Sequence, residues 1–194
     1  MDYQAILKTL PPHWNIMLPN ASYQNICLSQ EEHEYQSIKT LFQGSYYKEI
    51  KYIYRVQNPL TFAKFAHKLQ EFAGRGPATV RTLYHDTSLT NVEPICWFNF
   101  NWRMSVRTKF GPGVYFSISP DLAARHSRKT GSSLRAMFLV DVIMLNVQKF
   151  DGLFAFLPNY GYDTLLAHRN QTYVKYFDNE YYPTYFMIYE AIQF

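Results

Sequence analysis

Charge is scarce in this chain. Only 18% of its 194 residues are Asp, Glu, Lys or Arg, against about a quarter in an ordinary globular protein. A solvated disordered tail and a charge-rich coiled coil are thereby excluded. Cysteine is scarcer still. Cys27 and Cys96 cannot build a disulfide framework, and two free thiols suit a reducing compartment. No apolar run approaches the ~18 residues of a membrane span. Met1-Asp2-Tyr3-Gln4 has no basic flank leading into an apolar stretch, so no secretory signal is read there. The sequons at Asn20 and Asn170 carry little weight without one.

Several chemistries are missing as well. His13, His33, His67, His85, His126 and His168 are scattered, and neither Cys-x-x-Cys nor His-Glu-x-x-His occurs, so no metal is expected. There is no Walker loop, and Gly111-Pro112-Gly113 lacks the third glycine of a dinucleotide fingerprint. Ser45-Tyr46-Tyr47-Lys48 and Lys129-Thr130-Gly131 echo penicillin-recognising serine enzymes, but the Ser-Asp-Asn element is absent. His85-Asp86-Thr87 has no second His-x-Ser/Thr to act as the opposite acid or base of a two-histidine phosphoesterase.

Aromatic side chains are plentiful at 18%, and apolar residues reach 47%. A chain of this size buries roughly 70% of its unfolded surface, enough for one domain over 1–194. The net charge of +4 is unevenly placed: from Arg103 to Arg135 there are seven Lys/Arg and one acid, Asp121. That segment suits a phosphate-bearing ligand or a nucleic acid, and equally a solvated basic face.

Residues 1–20 read as loop and turns around Pro11-Pro12 and Pro19. Ser29-Gln30-Glu31-Glu32 has the pattern of a capping box, followed by an apolar helical stripe of Tyr35, Ile38, Leu41 and Phe42 that Gly44 stops. Ile50 to Val56 reads as a strand. Pro59 opens a helix with Phe62, Phe65, Leu69 and Phe72 on one face, ended by Gly74. Ala78–His85 is a short strand, and a short helix capped by Thr87 or Ser88 follows. Val114–Ser117 is a strand, and Ser119-Pro120-Asp121 starts a helix with cap, proline and acid in order. Arg135–Leu145 is a buried strand. Tyr173–Phe177 and Tyr185–Ile192 are two strands around an Asp178-Asn179-Glu180 turn. Helices first and many short strands afterwards give an α+β class.

Three segments stand out: Leu83-Tyr84-His85-Asp86-Thr87-Ser88, Phe110-Gly111-Pro112-Gly113-Val114-Tyr115-Phe116-Ser117, and Tyr173 to Asp178 leading into Tyr182-Pro183 and Tyr185. In that order they resemble the catalytic domain of the poly(ADP-ribose) polymerase superfamily, in its mono-ADP-ribosylating branch. Arg55-Val56-Gln57-Asn58-Pro59, Ile95-Cys96 and Asn99-Phe100-Asn101-Trp102-Arg103 are similar to the branch that includes the dioxin-inducible and zinc-finger antiviral members. The resemblance implies a diphtheria-toxin-like fold, with two facing, mostly antiparallel sheets around an NAD+ cleft and flanking helices. It also implies a catalytic unit at the C-terminal end of a longer protein.

The reaction so implied breaks the bond between nicotinamide and ribose in NAD+ and passes one ADP-ribose to an acceptor. The ribose carbon becomes oxocarbenium-like, so the protein mainly orients the ribose and shields a cation. By resemblance, His85 holds a ribose hydroxyl and Tyr115 stacks on nicotinamide. The Asp86 backbone takes the carboxamide, with Thr87, Phe116 and Ser117 lining the site. Four positions depart from the family. Tyr173 stands where polymerising members have a glutamate, and a phenol is no base near neutrality, so single transfer is expected. Asp86 replaces a glycine, placing a side chain where the backbone approaches the ligand. Ala123 replaces a serine, losing a hydrogen bond of about 1 kcal/mol, and His126 replaces a second stacking tyrosine. Two other readings stay open: an inactive transferase-like scaffold, and an RNA-binding domain using the 103–135 segment. The expected partners are a protein acceptor, the chain itself included, and nucleic acid through that segment. A monomer without membrane contact, cytoplasmic or nuclear, is expected.

Overall fold

The computed structural model describes residues 8, 10–18, 21–105, 109–127, 133–152, 154, 157–167, 169 and 171–192. Expectations resting on Met1–Gln4, Pro19, Asn20, Arg107, Arg128–Gly131, His168, Asn170 and Phe194 lie outside them. The strands are β1 (Gln24–Cys27), β2 (Tyr47–Gln57), β3 (Thr79–Ser88), β4 (Val114–Ser117), β5 (Leu134–Met144), β6 (Val147–Lys149), β7 (Thr164–Ala167), β8 (Thr172–Lys175) and β9 (Tyr181–Ala191). The helices are α1 (His33–Leu41), α2 (Pro59–Ala73), α3 (Val92–Phe98) and α4 (Pro120–His126).

The mixed α+β class is as expected. The strands pair in one continuous sheet with the order β1-β2-β9-β5-β3-β4-β8-β7-β6, and this pairing does not by itself show the two facing sheets that the resemblance implies. It has a narrow waist: β3 and β4 share the single pair Tyr84 with Ser117. On one side, β3 and β5 pair from Thr79/Met144 to Ser88/Arg135. On the other, β4 pairs with β8 over four residues. All pairings are antiparallel except β6 with β7. The C-terminal strands β8 and β9 do not lie side by side. The edges of β8 are taken by β4 and β7 and those of β9 by β2 and β5, so the turn at Asn179 (φ 65°) carries the chain from one half to the other.

Local chemistry explains the elements. Asn58 caps α2 by accepting the Thr61 N–H at 3.1 Å, Pro59 occupies the first turn, and Phe65 and Phe72 are buried. Each such ring contributes roughly 1.5–3 kcal/mol by leaving water. The capping box at Ser29 is not made. Ser29 turns its hydroxyl to Glu31, the Glu32 N–H bonds Ser29 O at 3.0 Å in a preceding turn, and α1 starts later with no side-chain cap. Leu41, expected inside, is 44% exposed, while Tyr35, Ile38 and Phe42 are buried. In β2 burial does not alternate along the strand, since Ile53, Arg55 and Val56 are all buried. Sheet and helices cover both faces of that strand. Both cysteines are free, and burial pushes the Cys96 thiol up to about 12.

Strand alternation divides the core. Phe116, Phe138, Val140 and Phe186 pack on one face with Phe100 and Tyr181. Met137, Leu139 and Met187 pack on the other beneath Tyr35 and Ile38 of α1 and Ala123 of α4.

Candidate active site

The waist positions the expected residues. His85 directly follows Tyr84, and Tyr115 and Phe116 precede Ser117, so all three flank the junction where the ladder is one pair wide. His85 Nδ1 lies 2.9 Å from the Tyr115 carbonyl oxygen. A carbonyl only accepts, so Nδ1 carries the proton. The ring meets Phe100 edge-on at 4.9 Å and Phe116 at 6.0 Å. The hydrogen bond to the Tyr115 carbonyl and the two aromatic walls hold its orientation.

Tyr115 is anchored by its own loop. Its hydroxyl donates to Gly111 O at 2.8 Å and accepts the Phe110 N–H at 3.0 Å. Gly111 has φ 86°, a region that favours glycine. A Cβ at Gly113 would stand 2.6 Å from Val174 Cγ1 and 2.7 Å from Lys175 O, so glycine lets β4 approach β8. The Gly-Pro-Gly segment is thus a structural clasp for the Tyr115 ring.

Asp86 departs from the reading that adds a carboxylate to the pocket. Alternation sends it to the face opposite His85. There Arg135 Nε and Nη2 each reach Asp86 Oδ2 at 2.8 Å, and the Tyr189 hydroxyl donates to Oδ1 at 2.7 Å. The Asp86 side chain is fully buried. Arg135 also donates to the Ser127 hydroxyl. Burial, with the Asp86 charge and hydrogen bond beside it, pushes the Tyr189 phenol above its ordinary value, so it remains a donor. Thr87 is buried and accepts from Asn91 Nδ2 at 2.8 Å, tying β3 to the turn that leads into α3.

The remaining positions divide. Phe116 is wholly buried core and Ser117 is buried at the junction. Ala123, on the inner side of α4, packs with the Met137 and Leu139 cluster, and His126 lies in the last turn of α4. Tyr173 sits opposite Phe116 in the β4–β8 ladder and is buried in the same cluster as Phe116. Its hydroxyl accepts from Arg81 Nη1 at 2.7 Å, and the Arg81 guanidinium lies over its ring. The structure therefore gathers His85, Tyr115, Phe116 and Ser117 at the waist, and directs Asp86 inward. The sequence reading missed Arg135, Tyr189 and Arg81 as partners. Arg135 figured there as part of a basic segment and as the start of a strand, and nothing local marks it as the mate of a residue 49 positions away.

That basic segment is partly neutralised. Of its cations among the described residues, Arg135 is buried on Asp86 and Arg103 pairs with Asp178 at 3.0 Å while stacking on Trp102. Lys109 and Arg125 remain at the surface. Among the described residues no cluster of three or more His, Cys, Asp or Glu is arranged to hold a metal.

Comparison with known proteins gives a consistent picture. The family model for the poly(ADP-ribose) polymerase catalytic domain matches residues 32–152. Protein mono-ADP-ribosyltransferase PARP11 of Mus musculus is 34% identical over 114 residues, covering 56% of this chain and 34% of the relative. Protein mono-ADP-ribosyltransferase PARP12 of Homo sapiens is 32% identical over 145 residues, covering 71% of this chain and 20% of the relative. The match thus spans about a third or less of each relative's length. The family match includes His85, Asp86, Tyr115, Ala123 and His126, while Tyr173 lies beyond it.

Proposed function

This chain belongs to the poly(ADP-ribose) polymerase catalytic-domain family, and from that premise we propose that it transfers a single ADP-ribose from NAD+ to a protein acceptor with release of nicotinamide. The observation that carries the reading is the 2.9 Å contact between His85 Nδ1 and the Tyr115 carbonyl at the one-pair waist. The His85 ring is thereby held against the backbone of Tyr115 on the neighbouring strand, which supports their acting in one site. In this reading the two halves of the sheet diverge from the waist as facing walls of an NAD+ cleft, as in diphtheria-toxin-like transferases.

The bond that breaks joins nicotinamide N1 to ribose C1′. Its electron pair leaves with nicotinamide, which becomes neutral. The acceptor's nucleophile then bonds C1′ and gives up its proton. A neutral leaving group needs little acid catalysis, so orientation and cation shielding dominate. His85, oriented by the bond from Nδ1 to the Tyr115 carbonyl, holds a ribose hydroxyl. Tyr115, clasped by Gly111 and Phe110, offers an aromatic face to nicotinamide. The fit is helped by the inward turn of Asp86, because its charge is already balanced by Arg135 and adds no unpaired anion to the cleft. Tyr173 brings no carboxylate to activate an acceptor ribose, and its phenol oxygen already accepts from Arg81. This supports mono-transfer over chain growth.

The test is labelled NAD+ with the purified chain. Self-labelling that stops after one unit and is abolished in His85→Ala and in Tyr115→Ala supports the reading. A nicotinamide mimic should also raise the melting temperature in a concentration-dependent way. No label and no thermal shift at millimolar NAD+ would refute catalysis and leave a binding domain of the same fold. RNA affinity that falls steeply with salt would instead favour a nucleic-acid module.

A further inference from the structure

We propose that the cleft between α1 and α2, on the sheet face away from the His85 ring, is a second binding site that takes an organic cation carried on an apolar stem. It does not rest on the transferase reading and stands or falls separately from it.

Strand geometry separates this cleft from the waist. Phe138 and Val140 of β5 point to the face that packs with Phe100 and Phe116, against which the His85 imidazole rests. Leu139 and Asp141 therefore point to the other face. That face is covered in two patches. Ile38 and its neighbours on α1 pack over Met137, Leu139 and Met187. Phe65 and Phe72 of α2 pack over Ile143 and Tyr182. Between the patches a cleft of about 290 Å³ remains, lined by Leu139, Asp141 and Tyr185 from the sheet, Ile38 from α1, Phe62 from α2, and Trp14. That volume lies near the lower end of the range for small-ligand pockets.

The polar groups of the lining are almost all engaged. Arg55 is held by Glu34, Asn15 and Gln57. The Tyr185 hydroxyl donates to Glu34 at 2.8 Å, and the Thr184 hydroxyl donates to Leu139 O at 3.0 Å. Asp141 differs. It accepts one hydrogen bond, from Thr82 Oγ1 at 2.9 Å, and among the described residues it has no cationic partner within ion-pair distance. A carboxylate has about four acceptor sites, so Asp141 can accept from further donors besides Thr82. Burial pushes the Asp141 carboxyl above its ordinary value against the opposing effect of the Thr82 hydrogen bond. Its ionised form lacks a counter-charge that a bound cation would supply.

The rest of the lining suits the stem of such a ligand. Trp14 meets Phe62 at 5.5 Å, and Phe62 meets Tyr182 at 5.4 Å, both edge-on. These rings form a prebuilt aromatic wall, able to add cation–π attraction to apolar contact. The other ionisable groups lining the cleft are His13, Arg55, Tyr182 and Tyr185. An anionic ligand would face Asp141 unfavourably, and a neutral one would leave it uncompensated. An amine or guanidinium on three or four methylenes matches both features. The same chemistry is found in a free small cation and in a basic side chain of a peptide.

The experiment titrates the intact chain with agmatine, with a capped Gly-Arg-Gly peptide, and with butylurea as a neutral mimic, by calorimetry. The melting temperature of each variant is measured in parallel. Saturable binding of agmatine or the peptide with Kd below about 1 mM, weakened at least tenfold by Asp141→Asn, supports the site. Agmatine alone points to a free cation, and the peptide, alone or better, points to a protein side chain. If Asp141→Asn fails to fold, Thr82→Val serves in its place, with weakened binding of either cation as the expected result. No saturable binding by either cation, equal binding of butylurea, or undiminished binding in the folded variant would overturn the proposal.

Discussion

The two halves of the sheet are built differently. From β1 to β3 the ladder is made largely of strands of 10 or 11 residues, while from β4 to β6 no strand exceeds four. Each half also holds a buried ion pair, and the two pairs do different jobs. Asp86 and Arg135 lie within the long half, on adjacent strands that are already zipped together over ten pairs. Lys175 lies in the short half and reaches across. Its Nζ is 2.8 Å from Asp163, 2.9 Å from Glu180 and 2.9 Å from the Ile143 carbonyl of β5, with the side chain fully buried. The backbone joins the halves at one pair, so Lys175 acts as a second staple. Long strands hold themselves by ladder and core, whereas short ones depend on a few specific contacts. Tyr115 and Tyr173 belong to the stapled half, so their placement relative to His85 depends on that lysine.

The contrast can be broken most forcefully at Lys175. Lys175→Met leaves the Asp163 carboxylate buried without its cation, and removing one partner of a buried pair costs about 3–5 kcal/mol. Denaturant unfolding should show a loss of that size, and Tyr115 resonances should move more than those of β2. A loss confined to overall stability, with the waist unmoved, would mean Lys175 is no staple. Arg135→Met also strands a carboxylate, but Tyr189 still donates to Asp86. Its loss should fall at or below the lower end of that range, about 3 kcal/mol, with the strand pairing intact by hydrogen exchange.

Asn58→Ala probes the long half alone. The Asn58 side chain caps α2 and donates to Cys96 O and Trp97 O at 2.9 Å each. Losing the cap and leaving one buried and one partly buried carbonyl unpaired should cost about 2 kcal/mol in denaturant unfolding, with the waist unaffected.

Glu180→Gln sharpens the comparison through pH. Burial raises the Glu180 carboxyl above its ordinary value of 4.5, and Lys175 only partly offsets this. The folded chain therefore holds that proton to higher pH than the unfolded chain. Its contribution is full below 4.5 and is lost as pH rises through the raised value. Asp163 runs the other way. Burial pushes it up, but the Lys175 charge and hydrogen bonds from Lys175, Thr164 and the Asn146 N–H outweigh that, so its contribution is lost as pH falls below 3.8. Glu180→Gln should flatten the fall in stability as pH rises above 4.5, relative to the wild type. An unchanged slope would remove Glu180 from the staple. The smallest effect belongs to Arg103→Gln, whose ion pair with Asp178 is about half exposed on both sides. Screening by water leaves such pairs almost no weight, so the melting temperature should not move.

Much of this molecule is legible in short stretches of sequence. Val114–Ser117, the proline-led helices at Pro59 and Pro120, and the buried strand near Arg135–Leu145 follow from periods of two and 3.6 and from caps. The ordered motifs around His85 and Tyr115 point to the right family. Thr164–Ala167 carries no such signal, because its four residues are all buried and show no alternation. The capping pattern at Ser29 misleads because a turn competes for the same groups.

What the sequence determined alone is therefore local: where the chain extends, where it coils, and which chemical groups arrive in which order. Those signals act over a few residues. The tertiary structure decided that the sheet narrows to one pair beside His85, that Asp86 faces Arg135 on the side opposite the His85 ring, and that Lys175 is buried between two acids. These outcomes join residues 49, 12 and 5 positions apart across different strands and turns. A charge becomes buried or exposed according to which strand lies beside it, and only the assembled sheet fixes that neighbour.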